Sequence, residues 1–102
     1  MHLIVWEFRA SAGQEAEFER VYGPEGVWAD LFARGDGFIA TELLRDTGER
    51  GRYLTIDRWT SQAAFEAFRH RWGEAYRALD QRCEGLRERE TLLGSFANPD
   101  HR

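Results

Sequence analysis

Residues 2–9 carry apolar groups on both sides of a period-two pattern. His2, Ile4, Trp6 and Phe8 share one face, and Leu3, Val5, Glu7 and Arg9 share the other. Apolar groups on both faces suit a strand in the middle of a covered sheet. Ser11-Ala12-Gly13 breaks it, and the period then lengthens to that of a helix. A helical span over 13–34, broken at Gly23-Pro24, begins with Ala16, Phe18, Val21 and Tyr22 among early acidic residues that favour a helix N-terminus. Pro24 suits the first position of its second segment, where Val27, Trp28, Leu31 and Phe32 form one apolar face. Gly35-Asp36-Gly37 ends that segment, and residues 37–45 read as a second strand. The polar run 46–51 reads as a hairpin loop, and 52–59 as a third strand. Thr60-Ser61 is a helix N-cap signal. Phe65, Phe68, Trp72, Tyr76, Leu79, Cys83 and Leu86 then trace an apolar stripe, predicting a helix over 61–86 with a kink near Gly73. A final strand falls within 87–96, near 89–96.

The order β-α-β-β-α-β favours a ferredoxin-like α+β sandwich, with a four-stranded antiparallel sheet and the helices on one face. Residues 1–96 form one domain in this reading, and 97–102 a polar tail containing Pro99. The helix-free face would be left apolar and bare. A second copy of the sheet is its simplest cover, so a homodimer through the sheet face is expected.

Composition narrows the function. The chain has 102 residues and a formal net charge of −4, which disfavours binding to nucleic acid or an anionic membrane. All 14 basic residues are Arg, so Lys Schiff-base chemistry and a P-loop lysine are excluded. One cysteine permits no intrachain disulfide. No stretch approaches the ~20 apolar residues of a membrane helix, and no signal peptide is evident; a cytoplasmic protein is expected. No histidine or carboxylate spacing recommends a metal site.

Several local runs resemble the antibiotic-biosynthesis-monooxygenase-like proteins of the dimeric α/β-barrel superfamily. They are Ile4-Val5-Trp6-Glu7-Phe8 with Gly13 and Phe18, Gly37-Phe38-Ile39 and Leu43-Leu44-Arg45-Asp46, then Tyr53 to Ser61 with Ala64-Phe65, and finally Leu93-Gly94-Ser95-Phe96. The resemblance covers about residues 2–96 and marks architecture rather than chemistry. It implies a homodimer whose sheets pack into a barrel, with a pocket between sheet and helices in each protomer. It also implies cofactor-independent oxygenation of aromatic or quinol substrates, or haem degradation. The haem-degrading relatives need an Asn on the first strand, and a Trp and an axial His on the long helix. Those positions fall here on Trp6, Phe68 and Ala78. The expected cofactor is therefore none.

The candidate catalytic residues are Asp57, Arg58 and Tyr53. A cofactor-free oxidation needs a base or a cation to hold the substrate anion beside dioxygen. Trp6, Trp59, Phe65, Phe68 and Trp72 could wall an aromatic pocket, or simply fill a small core. Alternation allows only one set to face that pocket: Tyr53, Asp57 and Trp59, or Leu54, Ile56 and Arg58. A Glu7–Arg58 cross-strand pair is expected if register permits. His70 should point to solvent, His2 and His101 lie near the termini, and Cys83 should be a buried, inert thiol. The leading function is a small monooxygenase acting on an aromatic or quinol-type metabolite. The alternatives are a non-catalytic dimeric sensor or accessory protein for a small hydrophobic ligand and, on the same scaffold, an isomerase or cyclase.

Overall fold

The computed structural model describes residues 1–99. Its strands are β1 (His2–Ala10), β2 (Phe38–Arg45), β3 (Arg52–Trp59) and β4 (Arg87–Ala97). Its helices are α1 (Glu15–Tyr22), α2 (Val27–Phe32) and α3 (Gln62–Arg82), with a 3₁₀ turn at Glu84–Leu86. The sheet runs β2-β3-β1-β4, antiparallel throughout, which is the ferredoxin-like α+β arrangement. β1 and β3 occupy its centre, as their two-sided apolar pattern requires.

Alternation sorts the faces. His2, Ile4, Phe8 and Ala10 of β1 and Tyr53, Thr55, Asp57 and Trp59 of β3 are buried. They pack against Phe18, Tyr22, Trp28, Phe32, Phe68 and Leu79 of the helices. Trp59 is 0% exposed and meets the rings of Phe32, Phe38, Phe65 and Phe68 at centroid distances of 5.2–6.1 Å. Leu3, Val5, Leu54 and Ile56 lie on the opposite face and remain half-buried.

Ser61 caps α3, its Oγ accepting from the Ala64 backbone N–H at 3.0 Å. The kink falls at Trp72, whose φ of −110° and ψ of 18° leave the helical region, one residue before Gly73.

Four local expectations are corrected. Pro24 does not open α2. The Gly26 N–H bonds back to the Gly23 carbonyl at 3.0 Å, so 23–26 form a turn and α2 starts at Val27. This turn passes so close to α1 that a Cβ on Gly26 would lie 2.3 Å from the Val21 carbonyl oxygen. The helix expected to reach 86 stops at Arg82; Gly85 lies in the 3₁₀ turn that follows. The Glu7–Arg58 pair does not form, because register places Arg58 opposite Leu3 and Glu7 opposite Leu54. Glu7 instead accepts from Arg52 at 2.6 Å, and Arg58 donates to Glu42 at 2.9 Å. His70 is exposed, whereas His2 is buried with its ring 5.9 Å from that of Phe65. Ala97 belongs to β4 rather than to the tail, and His101 lies outside the described residues.

Candidate active site

Between the sheet and the helices lies a small pocket, open to solvent, with a cavity volume of about 30 Å³. Trp6, Thr55 and Asp57 form its floor, and Trp28, Phe32 and Tyr76 close over them. A neighbouring lobe of about 90 Å³ shares Trp6, Phe32, Asp57 and Tyr76 and adds Phe65, Arg69 and Leu92. The two lobes thus meet around one carboxyl group.

That carboxyl is Asp57, 6% exposed. Strand register sets Thr41 of β2 directly beside it, and Thr41 Oγ1 donates to Asp57 Oδ1 at 2.8 Å. Burial pushes the Asp57 pKa up to about 6 from an ordinary 3.8, and the Thr41 hydrogen bond only partly opposes this. Such a carboxyl is ionised at neutral pH yet basic enough to accept a proton from a phenol.

A second polar group closes the β4 side. The Arg87 guanidinium, 8% exposed, donates to Tyr22 Oη at 3.0 Å and Asp80 Oδ1 at 2.9 Å, with Glu90 Oε1 3.4 Å away. Burial raises the Glu90 carboxyl despite Arg87, and raises the Tyr22 hydroxyl too. Burial likewise pushes Tyr76 up to about 12, so its phenol stays protonated and can donate. Cys83 is buried and its thiol is raised by burial, which leaves it a poor nucleophile.

Of the residues singled out from sequence, Trp6, Asp57 and Phe65 line the pocket. Tyr53 shares the buried face, but its hydroxyl donates to Glu19 Oε2 at 2.6 Å, and Glu19 is paired with Arg45 at 2.8 Å. Trp59 and Phe68 belong to the core. Trp72 stands apart at the kink, with Arg34 and Arg71 5.2 Å and 5.3 Å from its ring. Arg58 is excluded from the pocket because alternation turns it to the helix-free face. Sequence reasoning missed Thr41, Thr55, Tyr76, Glu90 and Arg69 as site residues. Thr55 and Asp57 carried a usable signal, being polar groups between Tyr53 and Trp59 on a buried face.

An α+β sandwich with an aromatic pocket around a buried carboxyl is the architecture that these observations define. The chain belongs to the antibiotic biosynthesis monooxygenase family, whose sequence profile matches residues 1–82. None of the functionally curated sequences matches it. Among solved structures it is similar to a variant of SnoaB, a cofactor-independent oxygenase from Streptomyces nogalater. Identity is 27% and the TM-score 0.70, over 98% of this chain and 94% of that one. It is also similar in fold to MhuD, solved with two manganese protoporphyrin IX molecules per active site. There the identity is 22% and the TM-score 0.73, over 100% of this chain and 98% of that one. A Pseudomonas aeruginosa protein shares the fold at 16% identity and a TM-score of 0.68, over 97% of this chain and 94% of that one. The chain is thus a monooxygenase-like protein.

Proposed function

We propose that the chain is a cofactor-independent monooxygenase for a quinol-type aromatic substrate, with Asp57 as its base. The single observation carrying this reading is a buried carboxyl with a pKa of about 6, set in the floor of an aromatic-walled pocket. Asp57 would take the proton of a ring hydroxyl while Thr41 holds the carboxyl in place. The aromatic walls keep the resulting electron-rich anion poorly solvated, which favours electron transfer from it to dioxygen. The overall change balances as quinol plus dioxygen to hydroxyquinone plus water: one oxygen atom enters the ring and the other leaves as water. The likeness to SnoaB supports this chemistry.

The working unit in this reading is a cytoplasmic homodimer. Leu3, Val5, Leu54 and Ile56 form an apolar helix-free face, flanked by Leu44 and Phe96 at 41% and 54% exposed. A second copy would cover it by an isologous contact. The functional test is oxygen uptake with a panel of hydroquinones, comparing the wild type with Asp57→Asn. Uptake that depends on Asp57 is the expected result. Tight binding of the same quinols without any uptake would instead mark a binding protein.

A further inference from the structure

We propose that Arg69 selects an acidic substituent, so that the pocket takes an aromatic acid rather than a neutral ring. This rests on the reading above only in taking the pocket to bind a planar aromatic.

Arg69 lies four residues after Phe65 and seven before Tyr76 on α3; it is exposed, at the edge of the apolar stripe, and its side chain lines the mouth of the second lobe. Its guanidinium lies 4.9 Å from the Tyr76 ring centroid and 5.8 Å from that of Phe65. Two aromatic faces therefore position the charge without neutralising it.

Among the described residues no carboxylate lies within ion-pair distance of Arg69, as is also true of Arg34, Arg71, Arg77, Arg82 and Arg89; what sets Arg69 apart is that it lines the lobe shared with Asp57, which those five do not. Asp57 lines the same lobe, yet its oxygen is bonded to Thr41 and not to Arg69. Arg69 thus offers five N–H donors and a full positive charge to the lobe, beside the exposed apolar side chain of Leu92. A planar guanidinium matches a carboxylate in two parallel hydrogen bonds and gains least from a neutral ring edge. The ligand this arrangement recognises is a flat hydroxylated ring system, its hydroxyl at Asp57 and its carboxylate at Arg69.

The test compares 6-hydroxy-2-naphthoic acid with 2-naphthol, which lacks only the carboxylate, by equilibrium dialysis near neutral pH. The wild type should hold the acid roughly tenfold tighter or more, the value of one charge-assisted contact. Arg69→Gln should equalise the two, and Arg69→Lys should keep part of the preference. Arg34→Gln makes the same charge change at the outer groove beside Trp72 and should leave the preference intact. Equal binding by the wild type, a preference that survives Arg69→Gln, or no binding of the acid would each overturn the proposal. Because the readout is binding, absent oxygen uptake with an intact preference would sink the oxygenase reading alone.

Discussion

Replacing Asp57 with Asn should make the protein more stable while removing its activity, and the gain should depend on pH. Folding raises this carboxyl from 3.8 to about 6. The shift is about 2 units, or about 3 kcal/mol at ~1.4 kcal/mol per unit. Because the folded pKa is the higher one, the fold is favoured by protonation. That advantage is whole below the unfolded pKa, erodes as pH rises, and is gone above the folded pKa of about 6. Asn is nearly isosteric and can still accept from Thr41 through its amide oxygen, yet it never ionises. Urea unfolding of the two proteins at about pH 4.5 and about pH 7.5 isolates the effect, since every other titrating group is common to both. The stability difference should grow by about 2 kcal/mol between those pH values, or about 1–2 M in the urea midpoint. A difference that stays constant with pH would show that Asp57 titrates normally and would remove the base from the proposed site. In the wild type, kcat/KM for a quinol should rise through an apparent pKa of about 6 and then level off.

Three further outcomes test the frame around the site. Ser61→Ala removes the cap on α3 and should cost about 1 kcal/mol in thermal or urea unfolding. Gly26→Ala drives a methyl group into the Val21 carbonyl and should cost more than about 2 kcal/mol, read as a lower urea midpoint. Ile56→Asp puts a charge in the middle of the apolar sheet face. If the proposed sheet-face dimer forms, sedimentation should report twice the chain mass for the wild type and the chain mass for this variant.

The strands were legible because their information is local. Alternation in β1 and β3 and the polar, Gly-containing 46–51 hairpin placed those elements within a residue or so of their observed ends. The Ser61 cap was equally visible, since a hydroxyl before an apolar stripe has one common use. Pro24 misled because its suitability for a helix start is a propensity. The close passage of Gly26 against α1 is a tertiary fact, and it decided the matter. The Glu7–Arg58 pair failed for a similar reason: strand neighbours can be inferred from topology, but the register sets Glu7 opposite Leu54, four residues from Arg58 and two from Arg52, which takes the pair.

The site itself was half-legible, and the division has a physical cause. Period two grouped Tyr53, Thr55, Asp57 and Trp59, but nothing along the chain says whether that set meets helices or the open face. Once the helices cover it, the end positions Tyr53 and Trp59 are drawn into core and surface contacts, and the middle of the strand is left to the pocket. Glu90 and Arg69 reach the pocket from β4 and α3, across long sequence separations that no local pattern encodes. The clue that does survive in sequence is an unfavourable choice. A strand face that buries Asp57 between two threonines and a tryptophan gives up stability that valine or isoleucine would have kept. Chemistry is the strongest reason for a small domain to accept that loss, which is why the costliest residue on the buried face is also the best candidate for the base.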